Sequence, residues 1–135
     1  MQSNGDEIIE LEWAQTNTDY PFHPGQLSDG TLRFISLATA LLQKPSAPVM
    51  LFDEPELGLH PNALNVLAGL FKQASYHTQI IIATQSATLL NNFDAENVVI
   101  INRNNGESML SRLNEESLAE WLESYTLGEL WQKMF

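Results

Sequence analysis

Hydrophobic positions along this chain fall into short continuous runs separated by helically spaced ones. The run Val49-Met50-Leu51-Phe52, bounded by Pro48 and Asp53, has the character of a strand covered on both faces. Ile80-Ile81-Ile82-Ala83 and Val98-Val99-Ile100-Ile101 repeat it. Between the first two, Leu64, Leu67, Leu70, Phe71 and Ala74 recur on one side of a segment that begins after Pro61, a residue suited to a first helical turn. Upstream, Ile35, Ala38 and Leu42, flanked by Leu32, Phe34, Leu37 and Leu41, predict a broad apolar helix from Thr31 that stops before Pro45 and is largely buried. Strand, helix, strand, helix, strand is the grammar of a parallel sheet.

The flanks read differently. Ile9, Leu11 and Trp13 alternate with Glu10 and Glu12, as in a half-buried strand. Tyr20 to Gly25 holds two prolines and a glycine, which bar a helix or a central strand and make a loop leading into Leu27-Ser28-Asp29-Gly30. Asn104-Asn105-Gly106 signals a tight hairpin, with Met109 to Leu113 returning antiparallel at the sheet edge. Near the end Leu118, Trp121, Leu122 and Tyr125 share a helical face, and Gly128 interrupts before Leu130 and Trp131. Those aromatic residues either dock a partner or, as is commoner, pack back on the chain itself.

Composition narrows the classes of function. With 135 residues, 44% of them hydrophobic, residues 1–135 suffice for one domain, or part of one, and not for two. No apolar run reaches the roughly eighteen residues of a membrane span, and the first residues are acidic and polar, so a soluble cytoplasmic protein is expected. Cysteine is absent, and His23, His60 and His77 lack metal-ligand spacing, which leaves oxygen ligands for any metal. Seventeen acidic residues against six basic ones give a formal charge of −11, and the six cations are scattered; any contact with DNA is expected through other regions and not through this acidic segment.

Chemistry gathers at two places. Ligands of open parallel sheets collect beyond the carboxyl ends of the strands, where Asp53-Glu54 stands. Neighbouring carboxylates there can divide the work: Asp53 suits the shell of Mg²⁺, and Glu54 suits the activation of an attacking water. The pair taken alone is as readily a strand end leading into a proline turn. Ser28-Asp29-Gly30 opens a helix, where backbone N–H groups, the helix dipole and the Ser28 hydroxyl converge on a spot fit for a phosphate that Gly30 leaves open. Ser28 or Asp29 acting as a plain N-cap is the commoner outcome for such residues.

The strings in order narrow the reading. Val49-Met50-Leu51-Phe52-Asp53-Glu54-Pro55-Glu56 resembles the Walker B motif of ABC-type ATPases, and Leu27-Ser28-Asp29-Gly30-Thr31, one helix upstream, resembles their signature sequence. Glu56-Leu57-Gly58-Leu59-His60-Pro61 resembles the D-loop of the non-transporter branch that includes RecF-like, SMC-like and OLD-like ATPases, and Ala83-Thr84-Gln85-Ser86 stands at the switch region. The C-terminal segment with Leu127-Gly128-Glu129-Leu130-Trp131 resembles the tail of bacterial ATPases of this branch. The resemblance implies a partial P-loop NTPase fold of the α/β class, with a parallel core sheet flanked by helices and an antiparallel edge hairpin. It implies that Ser28, Asp29 and Gly30 face ATP held by another subunit and that Asp53 holds Mg²⁺. Glu54 would activate water, Gln85 would sense the γ-phosphate, and His60 would either lie near the facing phosphate site or simply cap the following helix.

Departures from the family pattern matter as much. Asp29 replaces a second small residue and places a carboxylate near the phosphate pocket. Gln85 stands where many relatives carry histidine; its amide can donate to a phosphate oxygen but cannot hold a charge or shuttle a proton, which implies slow turnover. Ser86 is expected to cap a short helix over Ala87 to Asn91. No Gly-x-x-x-x-Gly-Lys-Ser/Thr occurs, nor a convincing Q-loop. The resemblance runs from about Gln26 to the end and covers the C-terminal part of an ATPase domain, so the expectation is a truncated or split protein. Its phosphate-binding loop would come from an N-terminal ATPase portion or a homodimer partner, without membrane contact. The alternative is a non-catalytic dimerisation module.

Overall fold

The computed structural model describes residues 11–16, 20–112 and 125–134. Its elements are, in order, α1 (Asp29–Leu42), β1 (Val49–Asp53), α2 (Pro61–Ser75), β2 (Gln79–Ala83), α3 (Ala87–Leu90), β3 (Val99–Asn104), β4 (Glu107–Arg112) and α4 (Leu127–Met134), with short 3-10 turns at Pro24–Gln26 and Ala95–Asn97.

Strands β1 and β2 pair in parallel from Val49 opposite Gln79 to Asp53 opposite Ala83, and α2 makes the crossover between them. Side chains alternate across a strand, so Met50, Phe52, Ile80 and Ile82 share one face. That face meets Phe34, Leu37 and Leu41 of α1 and Leu67, Leu70, Phe71 and Ala74 of α2. Phe71 and Leu67 are fully buried there, and the Phe52 and Phe71 rings meet edge to face at 5.0 Å. Each such side chain removed from water contributes about 1.5–3 kcal/mol.

The opposite face is bare. Val49, Leu51 and Ile81 stand in solvent, Leu51 with 74% of its surface exposed. The sequence predicts β1 covered on both faces, and the structure corrects this: among the described residues nothing lies on the second face. The expected deep burial of α1 fails for a related reason. Its apolar stripe is wider than the single contact with the sheet and α2, so only Leu41 is buried and Leu42 is 56% exposed.

The third predicted strand does form, as β3, but it pairs with β4 in a separate antiparallel sheet and not with β2. Asn105 and Gly106 both take positive φ, at 50° and 89°, the backbone of a two-residue turn whose twist matches the strands. Pairing therefore starts at Glu107, ahead of the predicted Met109. Ile100 alone is buried in this hairpin. Leu11 and Trp13 are 43% exposed, and Trp13 makes an isolated antiparallel bridge to Phe22; Ile9 and Glu10 of the predicted strand lie outside the described residues.

Gly128 does not interrupt a helix. It lies in the first turn of α4, where it is buried and its N–H donates to Asn91 Oδ1 at 2.7 Å, fastening α4 against α3. Leu130 is buried as well, so this part of the tail packs back on the chain. Leu118, Trp121 and Leu122 lie outside the described residues. No helix among the described residues is long and apolar enough to cross a membrane.

Candidate active site

Asp53 ends β1 on the bare face, in line with Val49 and Leu51 and opposite Ala83. The chain then turns sharply. Glu54 takes φ 43°, a left-handed backbone that costs a non-glycine residue about 1–2 kcal/mol. Hydrogen bonds hold it on both sides: its N–H donates to the Ala83 carbonyl at 2.8 Å, and its own carbonyl accepts from Leu57 N–H at 3.3 Å and from Arg33 Nη2 at 3.2 Å. The turn breaks the strand's alternation and sends the Glu54 side chain to the end of β2, where Gln85 Nε2 donates to Glu54 Oε1 at 3.5 Å. Two of the predicted residues are thus brought together, with Asp53 adjoining them.

The signature corner reaches this centre through backbone. Ser28 is the N-cap of α1: its Oγ accepts from Thr31 N–H at 3.1 Å and shares a 2.8 Å hydrogen bond with the Thr31 hydroxyl. Asp29 is the exposed first residue of the helix. The space beside Gly30 that the sequence leaves open for a phosphate is filled by protein: Gly30 backs onto the Gly58 carbonyl so closely that a Cβ on Gly30 would collide with it. Gly58 itself has φ 75°.

His60 caps α2, its Nδ1 accepting from Asn62 N–H at 3.2 Å. An accepting Nδ1 leaves the ring proton of the neutral imidazole on Nε2. Ser86 caps α3 as expected, accepting from Leu89 N–H at 3.2 Å. Among the described residues no cluster of three or more His, Cys, Asp or Glu side chains is placed to hold a metal ion. A hard cation here would rest on Asp53 together with water and substrate oxygens, which is how Mg²⁺ is commonly held.

Two contributors are invisible in the chain's periodicity. Arg33 appears in sequence as one scattered cation on a helix. Glu56 follows the proline of the turn, and its Oε1 accepts from the Thr84 hydroxyl at 2.5 Å while that hydroxyl accepts from Ser86 N–H at 3.0 Å. This tie joins the segment after β1 to the segment after β2, and the buried Glu56 Oε2 has no partner among the described atoms.

The chain is similar to known proteins. A family model described as "AAA domain, putative AbiEii toxin, Type IV TA system" matches residues 2–91. No curated protein matches this chain. A solved structure from work on ATP-driven dimerization and DNA stimulated activation of SMC ATPases is 25% identical, with a TM-score of 0.67 over 91% of this chain and 76% of that one. The SmcHead bound to the C-winged helix domain of ScpA gives a TM-score of 0.63 at 25% identity, over 76% of this chain and 31% of that one. The Smc head domain with a coiled coil and joint derived from Pyrococcus yayanosii gives 0.59 at 25% identity, over 77% of this chain and 20% of that one. These heads fit the P-loop NTPase fold, and together with the family match they identify the chain as a C-terminal fragment of an ABC-type ATPase domain. The chain belongs to the AAA-domain family whose model it matches.

Proposed function

We propose that this chain supplies the signature corner and the water-activating carboxylate of an ABC-type ATPase whose phosphate-binding loop is carried by another portion or another subunit. The observation that carries the reading is the turn at Glu54, which lifts one carboxylate out of the strand and faces it to the Gln85 amide. Glu54 accepts a proton from the attacking water, and Gln85 orients the carboxylate or donates to a γ-phosphate oxygen. Ser28 and Gly30 close over ATP held by the facing subunit, with Asp29 and His60 at that same interface. Asp53 would hold Mg²⁺, which when bound neutralises phosphate charge. In this reading residues 1–135 form one partial ATPase domain that dimerises with its counterpart.

The bare sheet face supports the same conclusion. Parallel strands are ordinarily covered on both sides, and here Asp53 shares the open face with Val49, Leu51 and Ile81. A portion that covered this apolar surface would bring its phosphate-binding loop to Asp53. The SMC relative is described by ATP-driven dimerization and DNA stimulated activation. For this chain we place the work in a DNA-maintenance or defence system, with DNA held elsewhere because of the −11 charge.

Turnover by the ATPase assembled with its phosphate-loop portion tests the assignment: Glu54→Gln should lower kcat about a hundredfold, and undiminished hydrolysis would remove Glu54 from the role. The bare face also favours a second reading, a docking module without catalysis. On the ATPase reading the chain by itself binds Mg-ATP more weakly than about 1 µM, and turnover appears on assembly; assembly without turnover selects the second reading.

A further inference from the structure

We propose that Arg33 is a positioning residue for Glu54, and that through it the signature corner of this chain sets the carboxylate of the same chain. The inference rests on the ATPase reading for its kinetic consequence, and on geometry for its structural one. Glu54 sits in an unfavourable left-handed backbone, and such a residue persists where its surroundings fix it. Its N–H is fixed by the end of β2 and its carbonyl by Arg33 and Leu57. Fixing both peptide groups of one residue fixes the direction of its Cβ, and therefore where the carboxylate can reach.

Arg33 differs from the other restraints in where it comes from. Leu57 belongs to the same turn and Ala83 to the neighbouring strand, whereas Arg33 stands on α1, whose first turn carries Ser28 and Gly30. The same helix start also abuts the far end of the turn, Gly30 against the Gly58 carbonyl. The segment from Glu54 to Gly58 is thus gripped at both ends by α1. Arg33 is exposed, so its guanidinium is not held there as core packing. A small displacement of α1, when Ser28 and Gly30 engage a phosphate across the dimer, is passed to the Glu54 carbonyl by this hydrogen bond. Occupancy of one nucleotide site would then prepare the carboxylate of the other.

The test uses Arg33→Met, which keeps an aliphatic stem without donors, and Arg33→Lys, which restores one donor. In the full chain without nucleotide, Arg33→Met should move the carbon-13 resonance of the Glu54 carbonyl and the side-chain amide resonances of Gln85, and Arg33→Lys should move them less. Unchanged resonances would overturn the proposal. In the assembled ATPase, Arg33→Met should lower kcat on the order of tenfold with KM unchanged, Arg33→Lys should recover most of it, and Arg33→Met should cause no further loss in a Glu54→Gln background. A raised KM at constant kcat, or additive losses, would overturn it. If the wild-type assembly shows no turnover, the ATPase reading fails and the resonance shifts still decide whether Arg33 positions Glu54.

Discussion

Strands β1 and β2 lie side by side although the whole of α2 separates them in the chain, whereas β3 and β4 are joined by Asn105 and Gly106 and pair along their full length. The parallel pair closes a long loop, and that entropy is offset by burying one face under α1 and α2. The hairpin closes a short loop and gets its register from the turn; Ile101 and Leu110 remain 65% and 69% exposed. Local turn chemistry can therefore specify a sheet with little core, while a parallel sheet depends on what covers it. The candidate site sits with the second kind, since beyond the strand ends of the parallel pair Gln85 Nε2 donates to Glu54 Oε1 at 3.5 Å, with Asp53 adjoining.

The sharpest way to break this contrast is Phe71→Ala. The side chain is fully buried between the parallel sheet and the helices, and the loss should be about 3–5 kcal/mol in denaturant unfolding. Ile100→Ala in the hairpin should cost about 2 kcal/mol; equal losses would show that the two sheets depend on burial alike. Gly30→Ala forces a methyl into the Gly58 carbonyl and should cost about 1–3 kcal/mol by thermal unfolding, with no loss if that approach is slack. Gly106→Ala meets open space but a φ of 89°, so the expected cost, about 1 kcal/mol, comes from backbone conformation alone. Its amide-exchange signature should stay within β3 and β4.

The smallest effect is expected at Glu129, which with Thr126 forms a capping box on α4. Hydrogen bonds from the Thr126 N–H and hydroxyl, helped by Lys133, hold its carboxyl below the ordinary value. A carboxyl with lower proton affinity in the folded state stabilises that state above its unfolded pKa and loses this as pH falls through the folded one. Protection factors of the amides at the start of α4, taken relative to intrinsic exchange at each pH, should thus fall as pH drops below roughly 4.5, and Glu129→Gln should abolish that dependence.

Much of this was legible in the residues. Helical spacing after Pro61 placed Leu64, Leu67 and Phe71 in the core, Asn105-Gly106 located the hairpin, and Asp53-Glu54 marked the strand end. The misses share one cause, that periodicity reports how apolar an element is and not what covers it. Leu51 reads as buried because parallel strands usually are, yet it faces solvent. Gly128 reads as a helix breaker because its role is an approach to Asn91, thirty-seven positions earlier. Arg33 carried no signal, since its partner is a carbonyl, the one group every residue offers. His60 reads two ways in the sequence, and its cap to Asn62 is what the ring does in this structure.

The left-handed turn at Glu54 has a consequence for how this sequence tolerates change. Glycine is the residue that such a backbone prefers, so Glu54→Gly relieves about 1 kcal/mol of strain even as it deletes the carboxylate. If Glu54 has the proposed role, folding and chemistry pull in opposite directions at this position. On the ATPase reading, a copy that need not hydrolyse ATP could drift toward the more stable glycine, so that the backbone strain at this turn and the proposed carboxylate chemistry are tied to one residue.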